Sequence, residues 1–495
     1  MPQSQVIQRE SRTEVTGNFF YRAASFLFLL AIVSLVWRRN HFVNFGEYTP
    51  TVKFTEVSAF LALIAVVLAL IFSKSLRRNE ARNALLAYWG KYFLLFSVFL
   101  AVGSFWTLLF LHRGLESIDV LQYGRIFFGM TLFFLALFLG FGRPSYARLL
   151  VLSFLSAIAL LPVLFLSEDV VVRNYLIVSP SSYTLLASQP GTIVLGSFLI
   201  FPAVILFSLF VAGKGFKKVV SYVGAMLLMS LVLWTGSRAA WLGTLFGCFV
   251  VVGVYAYWKK SQKEVWIYSL AVILMLICSF LILPRLARNT VLVRVFPDLR
   301  VDVQLDRKVL EKIAASPDEL TLDRIAFLWL RLPTRYYFTA HRPKPELGFY
   351  DGRGQIWIEH AKEAALNPLG LGPAYADVLS SEKPAGFSET LSYARSANAH
   401  NLWLQVLLSA GVGGLAVFLF MTVDILRKLF VLVKSNYATI TLWLAGGVVG
   451  ILINLFFIDG LELRWLWVLF ALVVLVHENF LRFRGQGAQE SISSV

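Results

Sequence analysis

Apolar runs of membrane-spanning length recur along the whole chain, and no other feature limits its fold so tightly. A helix of about 20 apolar residues matches the hydrocarbon thickness of a bilayer. About twelve segments qualify, at roughly 19–37, 54–73, 92–112, 124–141, 148–166, 191–213, 219–235, 239–257, 265–284, 399–423, 438–458 and 465–480. A chain that is 58% hydrophobic, with 43 phenylalanines and 13 tryptophans, exceeds what a soluble core can bury. The expected fold class is an all-α polytopic membrane protein with about twelve transmembrane helices. The first 18 residues are polar and no small-residue cleavage site follows the first apolar run, so that run is expected to be a retained span rather than a signal peptide. Cys248 and Cys278 both lie inside apolar runs, which leaves neither a disulfide framework nor a thiolate metal site.

The net charge of +16 is explained mainly by topology. The loops alternate between two sets. One set holds "SKSLRRNEARNALLAYWGK", "GKGFKK", "WKKSQKE", "DILRKLFVLVKSN" and both termini, with about twenty Lys and Arg; the short loops of the other set carry about seven. The positive-inside rule assigns the first set to the cytoplasm. A nucleic-acid partner is therefore not implied by the basic excess. The chain divides into residues 1–285 with nine spans, a long outer loop at 286–398, and residues 399–495 with three spans. Within the loop, "LDRKVLEKIA", "LTLDRIAFLWLRL" and "RGQIWIEHAKEAALNP" have helical patterning, the last stopped before Pro368. The loop is expected to be a helical lid on the outer face.

Three ionisable residues fall on that face. Arg238 lies in the turn "WTGSRAAWLG", where Thr235, Gly236 and Ser237 leave room for a ligand. Arg353 opens the helix in "GFYDGRGQIW", and His400 stands at the outer end of the tenth span in "SANAHNLWLQ". Each has a structural reading: a headgroup anchor for Arg238, a solvated helix residue for Arg353, a backbone-capping role for His400. Against the second, a cation in the first turn opposes the helix dipole. Guanidinium groups bind phosphate oxygens with a fixed fork, and an imidazole takes a proton from a hydroxyl near neutral pH. Together they suit departure of a phosphate-bearing group while a hydroxyl attacks. The carboxylates Asp298, Asp302 and Asp306 lie among Arg and Lys neighbours and read as solvated rather than metal-binding.

At these residues the chain resembles the O-antigen ligase and O-antigen polymerase family of bacterial inner-membrane proteins. "TGSRAAWLG" resembles the family's Ser-Arg turn. "GRGQIWIEHAKEAALNPLGLGPA" is similar to its Arg-x-x-x-Trp helix followed by Asn-Pro-x-x-Gly-x-Gly, through Arg353, Trp357, Asn367, Pro368, Gly370 and Gly372. "AHNLWLQVLLSAGVGG" resembles its His-Asn segment with a glycine eleven residues on, here Gly411. The family's Asn-Pro-Asn-like segment is matched only by Gln189, Pro190 and Gly191, and residues 286–345 carry no family motif.

The resemblance implies a GT-C-like architecture with a large periplasmic loop between helices 9 and 10. It also implies a metal-independent, cofactor-free inverting glycosyltransferase of the inner membrane. The donor would be a glycan on undecaprenyl diphosphate, met at the periplasmic face by an acceptor hydroxyl, with lipid A–core preferred as acceptor. His400 would be the general base, Arg238 and Arg353 would hold the diphosphate, and Ser237, Trp357 and Asn401 would line the substrate site. A polymerase using the same donor, transfer to a protein side chain, and a transporter of the lipid-linked glycan remain open on the sequence. A transporter, however, usually places its ionisable groups within the membrane.

Overall fold

The computed structural model describes residues 3–35, 41–43, 52–110, 117–159, 191–283, 288, 291–292, 299–303, 334–338, 353–381, 398–435, 438–461 and 463–484. Helices carry the fold, and a described helix overlaps each expected span, the fifth only as far as residue 159. They are α1 Gln3–Ser34, α2 Phe54–Phe72, α3 Glu80–Phe110, α4 Ser117–Gly140, α5 Pro144–Ala159, α6 Gly191–Ala212, α7 Gly215–Trp234, α8 Arg238–Lys259, α9 Gln262–Ile282, α12 Leu402–Lys434, α13 Ala438–Leu455 and α14 Arg464–Arg484. Two shorter helices precede α12, namely α10 Arg353–Leu366 and α11 Tyr375–Ser381. Among the described residues, nine helices are long and apolar enough to cross a membrane; α5, α6 and α13 are the three expected spans outside that group. Many apolar side chains face outward, Leu94 at 68% exposure and Trp266 at 77% among them. Surfaces of that kind belong against lipid, and the fold is that of a polytopic helical membrane protein.

Two short antiparallel ladders, not anticipated from the sequence, accompany the helices. β1 His41–Val43 pairs with β2 Val52–Lys53, and β3 Leu299–Val303 pairs with β4 Thr334–Phe338 with Val301 opposite Tyr336. The helical stretches expected at "LDRKVLEKIA" and "LTLDRIAFLWLRL" lie outside the described residues.

By packing, the chain forms two compact units. The first contains residues 1–159, 351–435 and 459–495. Its helices α1 and α2 meet through small side chains, with Ala24, Ala31, Ala59 and Ala62 buried, and the Ser34 and Thr55 hydroxyls 2.9 Å apart close one end of the pair. Large aromatics fill the centre: Trp467 of α14 packs on Phe93 of α3 with ring centroids 5.4 Å apart, and Phe418 of α12 lies on Phe96 of α3 at 6.0 Å. The second unit contains residues 160–350 and 436–458. There α8 and α13 touch backbone to backbone. A Cβ on Gly243 would lie 2.5 Å from the Gly450 carbonyl oxygen, and one on Gly247 would lie 2.7 Å from that of Gly446. Two glycines four residues apart on each helix permit this approach, the means by which helices associate where lipid offers no hydrophobic contrast. Ser197 of α6 adds a hydrogen bond to the Asn454 side-chain oxygen of α13 at 2.7 Å.

Candidate active site

The start of α12 shows how the chain fixes His400. Asn401 is the N-cap, its side-chain oxygen accepting from the amides of Trp403 (2.9 Å) and Leu404 (3.2 Å). It thereby satisfies two of the donors a helix leaves open at its N-terminus. The residue expected to contact substrate is 8% exposed and held as a cap. His400, immediately before it, has a φ of +48°. This left-handed conformation costs an ordinary residue about 1–2 kcal/mol and persists only where the surroundings impose it.

The surroundings do impose it. Ala399 is fully buried, and both of its backbone groups are taken. Its N–H donates to the Tyr375 hydroxyl at 2.9 Å, and its carbonyl accepts from the Trp357 indole N–H at 2.9 Å. Trp357 lies one turn along α10 from Arg353, so the helix that begins with Arg353 is pinned to the residue preceding His400. The Arg353 backbone opens α10; its side chain lies outside the described residues.

A second attachment holds the other end of α10. Gly411 interrupts α12 with φ +66° and ψ −171°. In a regular helix the Val412 amide would bond to Leu408; here it donates to the Pro368 carbonyl at 2.9 Å. The Leu408 carbonyl this releases accepts from the Leu371 amide at 2.6 Å, and the Ser409 carbonyl accepts from the Gly372 amide at 3.0 Å. The segment Asn-Pro-Leu-Gly-Leu-Gly, turned at Pro368–Leu369 by the Gly370 amide bonding to the Asn367 carbonyl at 2.9 Å, thus lies across the break. It fits only because side chains are missing: a Cβ on Gly411 would lie 2.4 Å from the Pro368 oxygen, and one on Gly372 would lie 2.3 Å from Ser104 Oγ. The Thr107 hydroxyl of α3 donates to the Leu371 carbonyl at 2.9 Å and anchors the segment from a third side. Asn367 serves the end of α10, its side-chain N–H donating to the Glu363 carbonyl at 3.0 Å.

The imidazole has an acidic neighbour that the sequence reading missed. His400 Nδ1 lies 4.0 Å from Asp459 Oδ2, with the two side chains 32% and 24% exposed. Asp459 is held by the turn that carries it. Gln405, one turn into α12, accepts with Oε1 from the amides of Gly460 (2.9 Å) and Leu461 (3.2 Å). Helix α12 therefore positions both the histidine and the turn presenting its carboxylate. The signal was available: "FIDGLELRW" follows the eleventh span, so alternation of the spans returns it to the face where His400 lies. Beside it, Arg464 is paired with Glu56 at the start of α2.

Arg238 and Ser237 belong to the second unit. The Ser237 hydroxyl caps α8 by accepting from the Ala240 amide at 3.3 Å, and Arg238 is the first helical residue, half-buried. The preceding turn is closed by Gly236 with φ +68° and by the Trp241 indole donating to the Val232 carbonyl at 3.0 Å. The first unit thus brings together His400, Asn401, Trp357 and the backbone of Arg353, whereas Ser237 and Arg238 occupy a helix start of their own. Gln189 and Pro190 lie outside the described residues, and Gly191 begins α6.

No curated protein matches the chain. Residues 223–419 match the family model described as O-antigen ligase, a span that contains Ser237, Arg238, Arg353, Trp357, His400, Asn401 and Gly411 and ends before Asp459. The match covers less than half of the chain and marks that stretch as similar to the O-antigen ligase family.

Proposed function

We propose that this protein is a glycosyltransferase of the O-antigen ligase type, moving a glycan from undecaprenyl diphosphate to an acceptor hydroxyl at the periplasmic face of the bacterial inner membrane. The observation that carries the reading is the histidine held in a left-handed backbone 4.0 Å from Asp459 and braced by the arginine-bearing helix α10. In the proposed reaction His400 takes the proton of the acceptor hydroxyl. The oxygen attacks the anomeric carbon, the bond from that carbon to the diphosphate breaks, and undecaprenyl diphosphate leaves with inversion. With Nδ1 toward Asp459, we assign Nε2 to the acceptor; the carboxylate then opposes the positive charge the ring gains. Arg353 is assigned to the diphosphate, where a preorganised cation stabilises the charge that grows on the leaving group. Arg238 is assigned the same role on its chemistry. This scheme assigns the charge neutralisation to arginine and needs no metal.

A strained, pinned histidine is more than a capping role asks for. Position before chemistry is what a general base needs, since a displacement of about 1 Å costs about 10²-fold in rate. The reading is tested with purified protein, a synthetic undecaprenyl-diphosphate glycan, and lipid A–core either present or absent. Glycan appearing on lipid A–core with release of undecaprenyl diphosphate supports the ligase; chain growth without lipid A–core assigns a polymerase instead. Donor recovered intact, on the opposite side of a proteoliposome membrane, would replace the reading with transport.

A further inference from the structure

At the end of the first unit remote from His400, the turn joining α4 to α5 gathers arginines from three segments. Arg82 comes from the first turn of α3, Arg143 from the turn itself, and Arg482 from the end of α14. Each lays its guanidinium on an aromatic face: Arg82 over Phe138 at 4.2 Å, Arg143 over Tyr21 at 4.3 Å, Arg482 over Phe141 at 4.6 Å. The platform is itself tied together. The Tyr21 hydroxyl donates to the Leu139 carbonyl at 2.8 Å, and the Gly142 amide donates to Asn479 Oδ1 at 2.8 Å. Along α14, Arg482 is about 27 Å from Arg464 at the His400 end, close to the thickness of a bilayer's hydrocarbon core. The cluster therefore belongs to the opposite membrane surface.

Among the described residues its charge has no ion-pair partner. Arg82 is 2% exposed; one terminal nitrogen donates to the Leu76 carbonyl, and its Nε is buried without a partner. Among the described residues, none of the three arginines makes an ion pair within 4.0 Å. Several carboxylates lie at this end, none within 4.0 Å of the three guanidinium groups among the described residues: Glu14 accepts from the Ser73 hydroxyl at 2.7 Å and the Ser75 amide at 3.1 Å, Glu478 and Asp424 face Lys428 at 3.0 and 3.9 Å, and Glu80 opens α3. A buried cation at the membrane edge is costly unless an anion completes it. Stacking on aromatic rings fixes the guanidinium planes and leaves N–H edges for oxygens.

We infer that Arg82, Arg143 and Arg482 form a binding site for the phosphate of an anionic membrane lipid, on the surface opposite His400. The lipid rather than a free anion is favoured by what lies alongside. Phe19 and Phe26 of α1 and Leu149 and Leu152 of α5, 45–66% exposed, give acyl chains an apolar track leading from the cluster. The site also falls on the face that the distribution of Lys and Arg assigns to the cytoplasm, where the leaflet is negatively charged. It stands independently of the transfer chemistry proposed above.

The test uses the full-length protein in detergent, titrated with phosphatidylglycerol, phosphatidylcholine or sodium phosphate, with thermal shift as the readout. The site predicts tighter binding of phosphatidylglycerol than of phosphatidylcholine by about 25-fold, roughly fivefold for each of the two exposed arginines. The double variant Arg143→Gln/Arg482→Gln alters exposed positions only and is expected to bring that preference within about twofold. Arg82→Gln is expected to do the same, read by lipid retention in native mass spectrometry on whatever fraction folds. Equal binding of the two lipids by the wild type, or a preference that survives in the double variant, overturns the inference. A shift reproduced by sodium phosphate, with no preference between the lipids, also overturns it by assigning a free-anion site.

Discussion

Trp357 donates its indole N–H to the carbonyl of Ala399 at 2.9 Å, and this bond joins the helix that begins with Arg353 to the backbone that carries His400. A tryptophan one turn from an arginine and a histidine more than forty positions later are thereby parts of one rigid arrangement. The sequence reading assigned Trp357 to the substrate site; the bond supports a positioning role.

Trp357→Phe keeps an aromatic ring and removes the donor. Loss of the bond frees the residue next to a strained histidine, so kcat is expected to fall about 10- to 100-fold, with the KM for donor changed less than about twofold. A rise in KM at constant kcat would return Trp357 to substrate binding.

Asp459→Asn preserves shape and removes the charge 4.0 Å from His400 Nδ1. The loss in kcat is expected to be about tenfold or more, because the ring then gains its proton without a counter-charge. Combined with His400→Ala the substitution is expected to add nothing further, since residues acting as a unit are non-additive. Steady-state rates of undecaprenyl diphosphate release for the two single variants and the double variant decide this.

Gly411→Ala and Gly372→Ala place a Cβ within 2.4 Å and 2.3 Å of existing atoms, at φ angles of +66° and +82°. Each is expected to destabilise by about 2–3 kcal/mol or more, combining left-handed strain with overpacking. Gly90→Ala in α3 meets nothing within 4 Å and is expected to be neutral or stabilising by up to about 1 kcal/mol. Thermal unfolding followed by size-exclusion fluorescence compares the three.

In the second unit, Gly247→Val puts a branched side chain where α8 already touches the Gly446 carbonyl at 2.7 Å from a Cβ. It is expected to separate α8 from α13 and to lower the yield of folded protein, whereas Gly253→Val on α8, with nothing within 4 Å, leaves yield unchanged.

Much of this was legible because lipid imposes a simple code. Apolar runs of fixed length marked where helices stand, and the proline rule ended the helix at "EAALNP" one residue beyond its last helical position, Leu366. The spacing from His400 to Gly411 was visible as a motif, but its cause was not. The break at Gly411 is filled by residues 368–372, a tertiary contact no local pattern encodes. Asp459 went unread for the same reason: it reaches His400 only because Gln405 holds its turn. Asn401 shows the converse error of emphasis. An asparagine directly before an apolar run is a cap signal, and the local chemistry was sufficient to read it so. Strands β3 and β4 lie between α9 and α10, where no span-length pattern guides the reading.

The central claim is that His400 is the base of a transfer reaction, and it is tested most directly by single-turnover release of undecaprenyl diphosphate from a synthetic donor in the presence of lipid A–core. For His400→Ala, folded and binding donor as the wild type does, the account predicts a loss of about 10²–10⁴-fold, partly restored by added imidazole. A rate within a few fold of wild type would contradict it.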